Sequence, residues 1–340
     1  MTNMAENSTE NAIKPSISEG QSAAVRFGQK IAWSSLAPAL VFSAMLLSVG
    51  VLNFNYLGPL GISIATATAA PIMFLALGQS MVLNIGSIDL SNAAIALLGA
   101  LMLALSLPQL GFVAFPLILV LVTAIGAING AAISYAQVPS FALTLGSLAI
   151  LQTAALVVSG ADTIYVSENR ELVSALYQTQ ILYAPLTFWM GIIFAVILWA
   201  VLRYTILGQH MTAMGKNELG ATLSAVPTRL VRIITYALSG FMGGLAGLSI
   251  VAQAGSASAS GLGSDLLLPG IAAALIGGTS ISGGQTNPLN VVFGGLTIAF
   301  VPIAIQAMGL GAKAQSLVYG IFIILVVALT TVRSRDAIIK

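Results

Sequence analysis

The sequence predicts an all-α, polytopic membrane protein with about ten transmembrane helices. Charged residues make up 6% of the chain and hydrophobic residues 58%. A soluble domain carries roughly a quarter charged residues, so this chain cannot cover its surface against water. The apolar runs are continuous and about 20 residues long, which is the length of a bilayer-spanning helix. Outer-membrane barrels are disfavoured, because their strands alternate apolar and polar residues in short segments.

The order of these runs gives the organisation of the chain. The 34 glycines suit helices that approach one another closely in lipid, where small residues let backbones pack. Spans are predicted at roughly 31–52, 62–84, 91–107, 110–135, 140–160, 184–202, 233–253, 266–280, 288–308 and 314–332. We therefore expect a transmembrane domain over 31–332, between a flexible cytoplasmic tail at 1–30 and a second cytoplasmic tail at 333–340.

The distribution of basic residues predicts the orientation. Cytoplasmic loops of membrane proteins carry an excess of Lys and Arg. With the N-terminus inside and ten spans, only Arg170 and Lys313 of the 12 basic residues lie outside. Both termini and the polar segment 203–232 are then cytoplasmic, whereas the loop 161–183 is external. This segment, the longest strongly polar stretch between spans, contains the single histidine, His210.

Several chemistries are excluded or disfavoured by residue usage. The chain has no cysteine, which excludes disulfides and thiolate sites. One histidine and ten acidic residues leave little for a metal cluster or a catalytic pair, so we expect neither an enzyme nor a cofactor nor a bound metal. No nucleic-acid partner is expected.

Asp89 is the first candidate functional residue, because no other acid lies between Glu19 and Asp162. An ionisable group near the membrane is costly and is a functional candidate by default. Asp and Ser also commonly cap the helix that follows, so a structural role in the link before Ser91 is the alternative. Amide side chains such as Gln79, Asn84 and Gln152 are of a type that lines a polar route.

Two further stretches contain Pro or Gly residues at positions that indicate a change of local structure. Val138–Ser147 contains Pro139, which is typical of a helix start, and Gly146 is interpreted as a packing glycine. Gly277–Gly284 has two Gly-Gly pairs around Thr279 and Ser280. It lacks the lysine of a phosphate-binding loop, so it is either a tight turn or a flexible contact or gate element.

Residues Gly215–Ser224 predict a short cytoplasmic helix capped at Asn217. Leu219 and Leu223, four residues apart, share one face of it. Such a helix can dock a loop on the membrane domain, or fit a groove on a partner protein. The residues alone leave both open.

Together these stretches resemble the permease family of bacterial ATP-binding-cassette (ABC) importers for ribose and related sugars. The resemblance is carried by four motifs in order, Gly86–Ser91, Pro139–Gly146, Gly215–Ser224 and Ile276–Gly284, and it covers about residues 35–332. It implies a non-enzymatic, multi-pass subunit of the bacterial inner membrane. The expected substrate is a small neutral hydroxylated molecule, a monosaccharide or polyol.

The resemblance also implies partners and sites. The partners are a separate ABC ATPase subunit, an extracytoplasmic solute-binding protein, a second permease subunit in a homodimer or heterodimer, and membrane lipid. Segment 203–232 corresponds to the coupling loop. Residues implied to contact the ATPase are Gly215, Asn217, Glu218, Leu219, Gly220, Ala221, Leu223 and Ser224. Candidates for the translocation pathway or its gate are Gln79, Asn84, Asp89, Ser91, Thr144, Thr279 and Ser280.

Two other functions remain as alternatives. An ion-coupled secondary transporter couples through membrane acids or broken helices, and Asp89 is the main acid available for that role. An ABC permease for a non-sugar solute shares the same machinery with a different cargo. Uptake that depends on ATP indicates an ABC permease, whereas uptake that depends on an ion gradient indicates the secondary transporter.

Overall fold

The computed structural model describes residues 20–260, 262–311 and 314–330, and helices dominate all three ranges. The helices are α1 Gly20–Leu52, α2 Pro59–Asn84, α3 Asn92–Leu110, α4 Ala114–Ala136, α5 Ser140–Ser159, α6 Arg170–Gln178, α7 Leu186–Tyr204, α8 Ile206–Lys216, α9 Glu218–Leu223, α10 Thr228–Ala254, α11 Leu262–Ile276, α12 Pro288–Ala307 and α13 Ala314–Thr330. Ten of these fall where the ten spans were predicted. The all-α class is confirmed.

The predicted tails lie largely outside the described residues. This holds for residues 1–19 of the predicted N-terminal tail and for all of 333–340. Helix α1 begins at Gly20, within the segment predicted as a tail. The chain divides into two units, Met1–Ala37 and Pro38–Lys340, and every contact discussed below lies in the second.

Four very short strands occur within the described ranges, and all lie in connections between helices. Strand β1 (Thr163–Tyr165) pairs antiparallel with β4 (Ser256–Ser258), and β2 (Gln180–Ile181) pairs antiparallel with β3 (Ala184–Pro185). The first pairing links the α5–α7 connection to the end of α10. The segment 161–183, expected as an external loop, therefore contains β1, the helix α6 and β2.

The connections between helices gather at two opposite ends of the bundle. At one, the Gly284 N–H donates to the Asn84 carbonyl oxygen at 2.8 Å, and the Ile88 N–H donates to Ser140 Oγ at 3.2 Å. At the other, β1 pairs with β4, and Asn169 Nδ2 donates to the Leu107 carbonyl oxygen at 3.1 Å. We call the first the inner end and the second the outer end. The inner end comprises 85–91, 137–139, 205–227 and 277–287, and the outer end comprises 111–113, 160–185 and 255–260.

The connections that share an end are those that the distribution of basic residues predicted on the same side of the membrane. Lys216 lies at the inner end, Arg229 and Arg232 lie at the start of α10 directly after it, and Arg170 lies at the outer end. The orientation of these ends relative to the cytoplasm stays a prediction, because no membrane is present in the structure.

Six helical stretches of the described residues are long and apolar enough to cross a membrane. They are Pro59–Asn84, Asn92–Ala136, Ser140–Ser159, Leu186–Tyr204, Thr228–Ala254 and Pro288–Ala307. The stretch Asn92–Ala136 contains both α3 and α4, which a three-residue 3-10 helix at Gly111–Val113 separates. The chain is a multi-pass membrane protein. Its exact number of spans stays a prediction.

Helix α10 lies at the centre of the bundle, in close contact with α2, α3 and α4. Its crossing with α4 depends on two glycines. A Cβ atom added at Gly240 would lie 3.1 Å from the Gly126 Cα atom and would collide with the Val122 carbonyl oxygen. Small residues at such crossings let membrane helices approach to backbone contact. Helix α5 differs, because most of its side chains are exposed or half-buried.

Candidate functional site

The polar segment between α7 and α10 folds into two short helices with side-chain caps. Thr205 Oγ1 accepts the Gly208 N–H at 3.2 Å at the start of α8. Asn217 Oδ1 accepts the Gly220 N–H at 2.9 Å at the start of α9. Side-chain oxygens at these positions satisfy N–H groups that have no partner inside the helix. The predicted short helix capped at Asn217 is therefore present in the structure.

Helix α9 turns its leucines outward. Leu219 is 71% exposed and Leu223 is 80% exposed, whereas Ala221 is 5% exposed. The Val226 N–H donates to the Ala221 carbonyl oxygen at 3.0 Å, and the half-buried Val226 packs against the main core. Ala221 and Val226 thus hold the inward side of α9 against the rest of the chain. Docking of the loop on the membrane domain does not use the two leucines.

The end of α8 contacts two other connections at backbone distance. A Cβ atom at Gly215 would collide with the Asn84 carbonyl oxygen and the Gly284 nitrogen. A Cβ atom at Gly283 would lie 2.7 Å from the Gly215 carbonyl oxygen and 2.9 Å from the Gly86 Cα atom. Gly86 and Gly283 also have positive φ angles of 73° and 87°. We call Gly86, Gly215, Gly283 and Gly284 the glycine junction.

The segment 277–287 is an ordered turn at the glycine junction. The Ser280 N–H donates to the Gln285 carbonyl oxygen at 2.9 Å, and the hydroxyls of Thr279 and Thr286 lie 2.8 Å apart. The glycines permit close backbone approach to α8 and the end of α2. The pathway candidates Thr279 and Ser280 therefore lie at the inner end, in this turn.

An ion pair connects α9 to α10. Glu218 accepts a hydrogen bond from Arg232, and this is the one salt bridge found among the side chains that the structure describes. The Glu218 side chain is 51% exposed and that of Arg232 is 12% exposed. The pair borders a polar groove of about 350 Å³ that Ser87, Gln137 and Ser140 also line. The coupling candidates thus adjoin the link that carries Asp89.

Asp89 is fully buried, and hydrogen bonds occupy both of its carboxylate oxygens. Oδ1 accepts the Ser91 N–H at 2.9 Å and the Ser91 hydroxyl at 2.5 Å. Oδ2 accepts the Ser239 hydroxyl of α10 at 2.7 Å. Buried charge is tolerated when hydrogen bonds replace its hydration. The geometry therefore agrees with the structural interpretation of Asp89, as a residue that shapes the link before α3.

Further side chains extend this arrangement across four helices. Asn129 Nδ2 of α4 donates to Ser91 Oγ at 2.9 Å, and Asn92 Nδ2 of α3 donates to Ser239 Oγ at 2.7 Å. The Tyr236 hydroxyl donates to the Ile88 carbonyl oxygen at 3.1 Å, and Thr144 Oγ1 of α5 accepts the Leu90 N–H at 3.1 Å. We call Asp89, Ser91, Asn92, Asn129, Thr144, Tyr236 and Ser239 the Asp89 network.

Sequence reasoning missed four members of the Asp89 network, which are Asn92, Asn129, Tyr236 and Ser239. Each is a polar residue inside an apolar run, and that signal was available. Its meaning depended on the three-dimensional neighbours, since Ser239 lies 150 residues from Asp89 in the chain.

The remaining pathway candidates, Gln79 and Asn84, are buried on the inner half of α2. Gln79 is 2% exposed and Asn84 is 1% exposed. Gln79 Nε2 and both polar side-chain atoms of Asn84 have no hydrogen-bond partner among the described residues. Gln79 lines a cavity of about 10 Å³ together with Asp89 and Asn92. The unpartnered Gln79 amide thus lies beside the Asp89 carboxylate, whose hydrogen bonds are satisfied.

The interpretation of Gly146 as a packing glycine is wrong. Helix α5 does begin at Ser140, directly after Pro139, as the proline predicted. However, a Cβ atom at Gly146 would have no neighbour within 4 Å, because this side of α5 contacts nothing in the chain.

Comparison with known proteins gives consistent matches over most of the chain. A family profile described as "Branched-chain amino acid transport system / permease component" matches residues 61–327. The ribose import permease protein of Haemophilus influenzae is 30% identical over 260 residues, which cover 74% of this chain and 79% of that protein. The D-allose transport system permease protein of Escherichia coli is 32% identical over 267 residues, covering 77% and 81%. The autoinducer 2 import system permease protein of Photorhabdus temperata is 28% identical over 315 residues, covering 89% and 92%. No solved structure gives a significant match.

Proposed function

This chain belongs to the permease-component family of branched-chain amino acid transport systems, and on that premise we propose that it is the membrane-spanning permease subunit of an ABC importer. It forms the translocation pathway in the bacterial inner membrane. A separate ATPase subunit drives the transport, and an extracytoplasmic solute-binding protein delivers the substrate. The chain itself catalyses no reaction, and it pairs with a second permease subunit within the lipid bilayer.

The proposed cargo is a small neutral hydroxylated molecule, a monosaccharide or polyol. The names of the relatives support this cargo, since they include transporters for ribose, D-allose and galactofuranose. The family description instead names branched-chain amino acids. These are zwitterions, whose carboxylate and ammonium groups both carry a charge. Among the side chains that the structure describes as buried, the polar ones are amides, hydroxyls and the Asp89 carboxylate. This composition favours a neutral cargo.

The observation that carries the proposal is the exposed leucine pair of α9 on a rigid base. Leu219 and Leu223, one helical turn apart, are 71% and 80% exposed and form an apolar patch on a polar segment. Apolar anchors of a short helix that enter a groove are a recurring mode of protein recognition. We expect Leu219 and Leu223 to enter a cleft of the ATPase, with Asn217 and Gly220 fixing the start of the helix. Gly215 holds the end of α8 in the glycine junction.

Movement of the ATPase would then reach the membrane helices by two contacts. The glycine junction joins α8 to the end of α2 and to the turn between α11 and α12 through backbone atoms. The Glu218–Arg232 ion pair joins α9 to α10, whose Ser239 and Tyr236 hold the link around Asp89. Backbone contacts transmit displacement with little slack, because no side-chain rotation can absorb it.

The test is ATP-dependent uptake by the complex of this chain with its ATPase and binding protein, reconstituted in lipid vesicles. The wild-type complex is expected to transport D-ribose, D-allose or D-galactose only when ATP is present on the side of the membrane that carries the ATPase. Uptake that an ionophore abolishes, and that needs no ATPase, would instead indicate an ion-coupled transporter. ATP-dependent uptake of a non-sugar solute alone would contradict the proposed cargo but not the permease role.

The docking surface is tested by the double variant Leu219→Asp/Leu223→Asp. We expect normal membrane insertion but at least about a hundredfold loss of ATPase affinity, because burial of two leucines is worth roughly 3 kcal/mol or more. Leu182→Asp is the matched control, since Leu182 is 76% exposed at the outer end. Unchanged ATPase affinity in the double variant would exclude this docking face.

A further inference from the structure

Unpartnered amide groups are concentrated on the inner half of α2 and the start of α3. Gln79 Nε2, Asn84 Nδ2, Asn84 Oδ1 and Asn92 Oδ1 are buried and have no hydrogen-bond partner among the described residues. Buried polar groups are almost always hydrogen-bonded, since an unmade bond costs the full desolvation of the group. These unpartnered groups therefore require an explanation beyond packing.

Two of these residues line the same small cavity. Gln79 and Asn92 line a cavity of about 10 Å³ beside Asp89, at the boundary of α2, α3 and α11. Leu266, Leu267, Gly270 and Ile271 of α11 form its other wall. A volume of this size holds about one water molecule.

The Asp89 network fixes the direction of the Asn92 amide. Asn92 Nδ2 donates to Ser239 Oγ at 2.7 Å, and Ser239 in turn donates to Asp89 Oδ2 at 2.7 Å. The Asn92 oxygen is thereby left as a free acceptor, and Gln79 Nε2 is a free donor. A sugar hydroxyl both donates and accepts, so one donor and one acceptor are the complement that it needs.

We propose that Gln79 and Asn92 form a hydroxyl-binding subsite of the translocation pathway, which α11 closes in this conformation. The inference rests on the proposed function, and it names these two amides as contacts for a neutral hydroxylated substrate. Asp89 and Ser239 are positioning residues, since they act on the substrate only through Asn92. No cationic side chain lines this cavity, so a carboxylate would find no counter-charge there.

Use of the subsite requires that α11 separate from α2. Small-molecule sites usually enclose roughly 300 Å³ or more, far above the volume of the closed cavity. The two helices are tightly packed here, because a Cβ atom at Gly270 would lie 3.1 Å from the Leu75 Cβ atom. Pro269, the residue before this contact, lacks a backbone N–H and weakens the helix at that point.

The first test is Gln79→Met, which keeps the length of the side chain and removes its polar group. The substrate is the one among D-ribose, D-allose and D-galactose that the wild type transports. We expect the KM for its ATP-dependent uptake to rise about tenfold, which is the cost of one hydrogen bond. The midpoint of thermal unfolding is expected to stay unchanged or rise, because an unsatisfied buried amide is removed. A purely structural glutamine predicts an unchanged KM.

Gln306→Met is the matched control, because Gln306 is exposed near the end of α12. Its KM and ATPase affinity are expected to equal those of the wild type. An unchanged KM in Gln79→Met, alongside normal assembly, would overturn the subsite.

The second test joins α2 to α11 with a disulfide in the double variant Leu75→Cys/Gly270→Cys. The wild-type chain has no cysteine, so the engineered pair has no competing thiol. A Cβ–Cβ separation near 3.5–4.5 Å permits a disulfide, which the close Leu75–Gly270 contact can reach with a small shift. Oxidised protein is expected to lose uptake while retaining the ATPase, and reduction is expected to restore uptake.

The outcomes separate this inference from the proposed function. Uptake that persists in fully cross-linked protein would overturn the opening of α11 and with it the subsite, leaving the permease role intact. Wild-type uptake that needs no ATPase and that an ionophore abolishes would contradict the proposed function itself. Should the cysteine pair fail to assemble even when reduced, Gln79→Met and its control decide the question.

Discussion

The leucines of α9 and the Asp89 network depart from the usual arrangement of apolar and polar residues in opposite directions. On α9, Leu219 and Leu223 are exposed while the backbone and caps around them are satisfied. Around Asp89, polar groups are fully buried and the protein supplies nearly all of their partners. An exposed apolar pair is incomplete until another surface covers it, whereas the buried polar network finds its partners within the chain except at the Asn92 oxygen.

This comparison separates two kinds of functional residue. Changes on α9 should weaken association and leave the folded chain intact. Changes in the Asp89 network should destabilise the fold itself. Gln79 lies beside the network with a buried amide nitrogen that remains unsatisfied, and there we expect weaker substrate binding without a loss of stability.

The largest effect is expected from Asp89→Leu. The substitution leaves the Ser91 and Ser239 hydroxyls and the Ser91 N–H buried without their acceptor, at a cost of roughly 3–5 kcal/mol in the free energy of unfolding. The measurement is the midpoint of thermal unfolding of the purified chain in detergent. Asp89→Asn keeps one acceptor oxygen, so its free energy of unfolding should fall clearly less. A variant with the wild-type midpoint but no uptake would show that Asp89 acts in the pathway instead.

A smaller effect, confined to assembly, is expected from Leu223→Ala. Loss of one buried leucine at an interface costs about 1.5–3 kcal/mol, which weakens ATPase binding roughly 10- to 100-fold. The unfolding midpoint should not change, because Leu223 is 80% exposed in the free chain. Binding of purified ATPase to vesicles that contain the variant measures this, with Leu182→Ala as the control. A lowered midpoint would mean that Leu223 packs within its own chain.

The smallest effect is expected from Glu218→Gln. The Glu218 side chain is 51% exposed, and ion pairs with an exposed partner contribute about 0.2–1 kcal/mol or less. We expect uptake within about twofold of the wild type at physiological salt, and no change in stability at high salt, where the pair is already screened. Uptake rates at two salt concentrations measure it. A loss beyond about tenfold would indicate that the ion pair is essential for transmitting the movement or that Glu218 contacts the ATPase directly.

Much of the architecture could be predicted from local sequence features. Apolar runs of membrane length located the long helices, and their boundaries differ from the prediction by a few residues in most cases. Asn217 was identified as a helix cap, because a cap depends on groups within three residues in the chain. The spacing of Leu219 and Leu223 predicted that they share one face of α9, but it did not predict that this face is exposed.

The tertiary structure alone decided which polar and small residues meet. The contacts of Asp89 with Ser239, and of Gly215 with Asn84 and Gly284, join residues far apart in the chain. Gly146 was misjudged for the same reason, since its neighbours could not be seen. In a membrane helix both lipid and core are apolar, so the hydrophobic pattern does not show which face is buried. The sequence by itself therefore determined where the helices lie along the chain, and only packing decided which of their faces form the site.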